Sequence, residues 1–227
     1  MDTANDPRLR VVEQALVDVE ERIRHGHIKA QYDRDGAQAA IEAGSSALQE
    51  LKYTYADPDQ LVSMEAFDRL ETSADELEAA MGGDSFHEEI EEDALAVARL
   101  RWTIDQIRSL ADRLSLDSDE LETAVEVRPG RVISVREHPD GDIWMTRVAA
   151  GRSLPVVTND GSVDDDDQVG VALLPPTEIH GAVSEGMFLG DADGVLTGVE
   201  EGAEGRPDVP AGAYAETRNT LDGFLQD

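Results

Sequence analysis

The chain contains no cysteine, which excludes disulfides, thiolate metal sites and thiol nucleophiles. Lysine is nearly absent: Lys29 and Lys52 are the whole complement, against 17 arginines. No apolar run approaches the roughly 18 residues of a membrane span. The opening residues, MDTANDPRLR, have no apolar segment behind their first charges, so a secretory signal is not expected. The expectation is a cytoplasmic protein that does not enter a membrane. No base–nucleophile spacing stands out either, which with the missing thiol argues against an enzyme. No cofactor and no metal site are expected.

What the chain has in excess is acid. Its 227 residues carry 50 acids and 19 bases, a net charge of −31, with 27 aspartates against 23 glutamates. The excess is spread along the chain: residues 1–126 hold 31 acids and 12 bases, residues 127–227 hold 19 and 7. A disordered acidic tail would concentrate its charge, and here hydrophobic periodicity persists throughout. The simplest physical reading is a halophilic protein. In molar salt the Debye length is about 3 Å, so self-repulsion is small and a carboxylate surface holds water and cations. The same screening weakens the usual argument that an acidic protein avoids nucleic acid, and leaves recognition to hydrogen bonds, stacking and shape.

Residues 1–126 read as helix. Asp6-Pro7 supplies a cap and a first helical residue, and Leu9, Val12, Leu16, Val19 and Ile23 follow at steps of three and four. Asp35-Gly36 is expected to break the chain. A second helix carries Ile41, Leu48, Leu51 and Tyr55 on its stripe and ends at Asp57-Pro58. A third runs through Leu61, Met64, Phe67, Leu70, Leu77 and Met81 to Gly82-Gly83. Asp84 or Ser85 caps a fourth, whose stripe is Val97, Leu100, Ile104, Ile107, Ala111 and Leu114. Short connections imply antiparallel neighbours, hence a bundle or long hairpin. His25 and His27 are two apart, which does not place them on one helix face. The acidic run His87–Asp93 reads as a solvated face, and Trp102 as a packing residue.

After Arg128-Pro129-Gly130, the expected domain boundary, the period changes. Short strands are predicted from Val132, from Ile143 to Ala149, from Arg152 to Thr158, from Val169 to Leu174, and around Met187–Leu189 and Val195-Leu196. Turns fall at His138-Pro139-Asp140-Gly141-Asp142 and Asn159-Asp160-Gly161, and an acidic loop at 164–167. So many short strands in about 90 residues suggest a small barrel or sandwich. The fold class is therefore α+β in two domains, a helical bundle over 1–126 and a β domain over 127–227.

Two runs carry a family resemblance. The first is Val132, Val135 and His138-Pro139, then Gly141-Asp142 and Ile143; the second is Pro176, Gly181, Ser184, Gly186, Met187, Phe188 and Leu189. Between them stand Pro155-Val156-Val157-Thr158-Asn159, and Val209-Pro210-Ala211-Gly212 closes the stretch. Together, over about residues 127–218, they resemble the tRNA-binding domain appended to aminoacyl-tRNA synthetases and found free-standing. The resemblance implies an OB-fold, a five-stranded Greek-key barrel. It also implies a non-catalytic protein that recognises tRNA by shape and phosphate contacts, as a homodimer, with a synthetase as a further partner. A chaperone-like or synthetase-docking role is the alternative. Within the motif, structural roles are favoured: Gly181 and Gly186 allow close backbone passage or positive φ.

The residues for binding follow from chemistry. An OB barrel grips RNA with arginines and ring platforms, and the guanidinium fork suits phosphate. Five of the domain's seven bases lie within residues 127–152. The candidates are Arg131, Arg136, Arg147 and Arg152, with His138, Trp144 and His180 as rings, and Asn159 and Ser184 as polar contacts.

Overall fold

The computed structural model describes residues 2–29, 31–83, 94–116, 118, 120–139 and 141–226, without the side chain of residue 204. Contacts divide the chain into two compact units, residues 1–124 and 125–227. The first is helical and the second a β-barrel, an α+β arrangement.

The helical unit contains α1 (Pro7–Arg24), α2 (Arg34–Lys52), α3 (Pro58–Val62), α4 (Glu65–Ala80), α5 (Ala94–Arg108) and α6 (Leu110–Ser115). The stripe on α1 is buried as its spacing predicts, and it joins Ile41, Leu48, Leu51, Phe67, Leu70, Leu77, Leu100 and Ile104 in one core. Trp102 is fully enclosed. Helices α2 and α4 approach closely because Gly44 faces Ser73, where a Cβ would lie 2.6 Å from the Ser73 hydroxyl.

Three sequence expectations for the helical unit are corrected. Asp35-Gly36 is no break: Asp33 caps α2, its carboxylate accepting the Gly36 N–H at 3.0 Å, and the pair lies in the first turn. Tyr55 is not on the α2 stripe, since the helix stops at Lys52 and Tyr55 stands 62% exposed with φ +55°. The third and fourth predicted helices are each divided, at Ser63-Met64 and at Ser109. The proposed cap at Asp84 or Ser85 and the run His87–Asp93 lie outside the described residues. Among those described, no helix is long and apolar enough to cross a membrane.

A buried ion pair closes the helical unit. Asp6 caps α1, accepting the Arg8 N–H at 2.9 Å, and the same carboxylate takes the Arg8 guanidinium at 3.0 and 2.7 Å. Arg8 also donates to the Arg113 and Ser118 carbonyls at 3.0 and 2.9 Å. Arg113, itself buried, donates to the Gln106 and Ala124 carbonyls.

The barrel contains β1 (Val127–Glu137), β2 (Trp144–Ala150), β3 (Arg152–Thr158), β4 (Gln168–Ala172), β5 (Thr177–Ile179), β6 (Ala182–Ser184), β7 (Met187–Phe188), β8 (Gly190–Asp191) and β9 (Gly194–Val195). Helix α7 (Ala215–Phe224) ends the chain. The main sheet has the order β3-β2-β1-β4-β7. It nearly closes where the segment before β7 meets β3: the Glu185 N–H donates to the Pro155 carbonyl at 2.8 Å. The cyclic order is that of a five-stranded OB-like barrel. Arg128-Pro129-Gly130, expected at the boundary, lies inside β1, where its partner is β4. Pro129 is tolerated because pairing with β2 starts only at Arg131.

Replacing Asp6 by Ala strips α1 of its cap and leaves a buried guanidinium without its carboxylate. The expected loss is about 3–5 kcal/mol, read as a lower urea midpoint in molar KCl. A loss below about 1 kcal/mol, the scale of an exposed pair, would contradict this role.

Candidate nucleic-acid interface

The site begins with a defect in β1. Arg131 pairs with Ala149 and Val132 with Val148, but the next pair is Ser134 with Arg147, so the register slips at Ile133. This is a β-bulge: one extra residue opposes the partner strand. Arg131 and Arg136 are five positions apart, and strict alternation would place them on opposite faces. The bulge restores them to one face.

Cross-strand neighbours share a face, so the rows can be read directly. The inward rows are Val132–Val148–Leu154, Val135–Thr146–Val156 and Glu137–Trp144–Thr158. The outward rows are Arg131–Ala149–Ser153, Ser134–Arg147–Pro155 and Arg136–Met145–Val157. Arg131, Arg136 and Arg147 therefore share the outer face of β1, β2 and β3. The bulged Ile133 stands among them, 49% exposed.

The acidic loop lies along this edge of β1. Val132 and the loop exchange backbone bonds, its N–H donating to the Asp167 carbonyl and its carbonyl accepting the Asp166 N–H, both at 2.9 Å. Asp165 accepts the Val135 N–H at 2.8 Å, and Asp166 accepts from the Arg131 guanidinium at 2.7 Å. Arg131 is thus paired, through an exposed contact of the kind that contributes little. Arg136 is exposed and makes no ion pair among the described residues.

A second feature sits where two loops meet. In an OB barrel the loops after the first and fourth strands flank the ligand face. After β1, His138 closes a turn: its N–H donates to the Ile143 carbonyl and its carbonyl accepts the Gly141 N–H, both at 2.9 Å. Between β4 and β7, the β5–β6 hairpin turns through His180-Gly181, with φ +50° and +83°. That is the backbone of a two-residue hairpin turn with both central residues left-handed. The two imidazoles meet with ring centroids 6.0 Å apart and planes tilted by 55°.

The remaining candidates separate from these. Ser184 is buried, its hydroxyl donating to the Gly186 carbonyl at 2.9 Å and accepting the Val157 N–H at 3.0 Å. It is a clip between β3 and β6, and its place as an RNA contact is withdrawn. Arg152 falls on the inward side, opposite Ala150, and pairs with the buried Glu185 at 2.7 Å; it too leaves the set. Trp144 ends an inward row and packs on Gly161, where a Cβ would lie 2.4 Å from the indole. Asn159 is exposed in the turn after β3, at the same end as Trp144. Gly186 is required by contact, since a Cβ there would sit 2.8 Å from the Ala172 carbonyl oxygen.

Asp160, unremarked in the sequence beyond its turn, locks this end of the barrel. It accepts the Ser162 N–H at 2.8 Å and the Val195 N–H at 2.7 Å. The Ser162 side chain, then these two N–H groups, hold its carboxyl below the ordinary range. Among the described residues, no group of three or more His, Asp or Glu is placed to hold a metal.

With the geometry in place, comparison adds one relation. The pattern of a family described as an alpha helical domain matches residues 1–117, just over half of the chain. The chain belongs to the alpha helical domain family. The match lies in the helical unit of this alpha helical domain protein, and the arginine face and the histidine pair lie beyond it. No curated protein matches the chain.

Two outcomes follow. Ser184→Ala should cost about 1–3 kcal/mol by leaving the Val157 N–H unpaired; an intact midpoint would remove the clip. The Asp160 carboxyl is depressed in the folded state, so its contribution is present above the unfolded value near 3.9 and is lost as pH falls through the folded one. Asp160→Asn should therefore flatten the acid limb of barrel unfolding below about pH 4. An unchanged limb would show that the carboxylate bonds carry no stability.

Proposed function

We propose that the barrel is a non-catalytic RNA-binding module that takes tRNA by its shape and phosphates, in a high-salt cytoplasm. The observation that carries this reading is the shared outward face of Arg131, Arg136 and Arg147, which the bulge in β1 creates. Each guanidinium fork on this face suits bidentate bonding to a phosphate. The paired loops bearing His138 and His180 flank the face as OB ligand loops do. The tRNA-binding resemblance over residues 127–218 supports the same reading.

The acidic exterior is compatible with it. In molar salt the field of 50 acids is screened within about 3 Å. Counterion release adds little there, so direct bonds must supply the affinity. The Asp165 and Asp166 carboxylates occupy positions beside β1 that phosphate oxygens would take. A phosphate has only to displace two exposed side chains, while the loop backbone stays bonded to Val132.

A second reading is favoured by the apolar members of this face. Ile133, Met145 and Val157 stand between the arginines, a composition suited to a protein partner. A synthetase, a client of a chaperone-like dimer, or a second copy of the barrel would each use them.

The deciding experiment is filter binding of deacylated tRNA in molar KCl. Arg131, Arg136 and Arg147 changed together to Glu should abolish binding with the fold intact. Asp166→Asn should raise affinity severalfold, and the gain should vanish when Arg131 is also changed to Ala. Wild-type protein that ignores tRNA but co-purifies with a synthetase, or captures unfolded chains, would favour the protein-binding reading.

A further inference from the structure

We propose that His138 and His180 form the two walls of a clamp for one unpaired nucleobase of the bound RNA. The inference rests on the RNA-binding reading above and specifies what the loops would recognise. The rings come from separate loops, 42 residues apart in the chain, and meet with centroids 6.0 Å apart and planes tilted by 55°. A base inserted between two rings needs about 7–8 Å, two van der Waals contacts of 3.5–4.0 Å. The shortfall is about 1–2 Å on that estimate, within reach of a rotamer change by His180, which is exposed at a hairpin tip. Imidazole is among the rings on which splayed RNA bases stack.

The backbone at His180 makes this a placed ring. It has φ +50°, a left-handed conformation that Asn or Gly adopts more easily. The local turn alone would favour Asn-Gly, yet the sequence holds His-Gly and the ring meets His138. Strain of this kind collects at binding sites. Arg136, exposed and two residues before His138 on β1, stands where the flanking phosphate would run. In duplex RNA the base faces are covered by their neighbours, so such a clamp selects single-stranded or looped segments.

The test uses the full chain in molar KCl and an unstructured RNA of about 12 nucleotides, within the span of one OB barrel. One central base is 2-aminopurine, whose fluorescence falls on stacking. Three proteins are compared: wild type, His180→Asn and His138→Phe. Asn suits the left-handed turn, so His180→Asn removes the ring while keeping the hairpin; His138→Phe keeps a ring. The clamp predicts quenching with wild type and with His138→Phe. It predicts loss of quenching with His180→Asn, and affinity lowered about tenfold, the scale of one lost base–ring stack. The same label in a full duplex should show no such dependence. If wild type binds with no quenching, or His180→Asn binds and quenches like wild type, the clamp is overturned. If that happens while the triple Arg→Glu variant loses binding, the RNA-binding reading stands without it. If wild type binds no RNA in any form, both fail.

Discussion

One extra residue in β1 governs the architecture of the barrel's outer face. β1 is the strand shared by β2 and β4, so its register is fixed on both sides by buried partners: Val132 opposite Val148 on β2, and Gly130 opposite Val169 on β4. Within that frame Ile133 has no place in the alternation and is expelled outward. Everything after it changes face. Val135 then points inward beside Thr146, and Arg136 points outward beside Met145. Without the bulge the strand would bury a guanidinium or expose its valines, and either would cost several kcal/mol. The arginine face is a by-product of the barrel's need to keep its core row apolar, and this makes it a rigid surface.

The aspartates behave as local structural groups as much as solvent-holding ones. Asp6 and Asp33 cap helices, Asp160 ties the turn after β3 to β9, Asp164 and Asp167 close their own loop, and Asp165 accepts the Val135 N–H beside the bulge. The short carboxylate reaches backbone N–H groups two or three residues away, which Glu does less well. So the acidity of this chain is partly spent on its own backbone, and the arginine face need not be the most anionic part of the surface.

Much of this was legible in the sequence, and the rest has identifiable causes. The three-four spacing of Leu9 to Ile23 and the change of period after Gly130 foretold helix followed by short strands, because burial patterns are local. Gly186 could be read as a close backbone contact from its residue type, and a Cβ there would sit 2.8 Å from the Ala172 carbonyl oxygen. The missed features are non-local. Tyr55 fitted the α2 stripe by spacing, but the helix ends before reaching it. Arg152 looked like its neighbours in composition, yet strand parity turns it toward Glu185, 33 residues away. Ser184 was a polar residue within the family motif, and only the fold shows Val157 across from it. The bulge has no sequence signature beyond the odd spacing of Arg131 and Arg136. The approach of His180 to His138 depends on a hairpin whose tip could be guessed from the following Gly181, but whose direction could not.

The most direct measurement is hydrogen–deuterium exchange of the whole chain in molar KCl, with and without deacylated tRNA. The account predicts slowed exchange over β1 to β2 and in the β5–β6 hairpin, with the helical unit unchanged. Protection confined to residues 1–124, or spread evenly over both units, would contradict it.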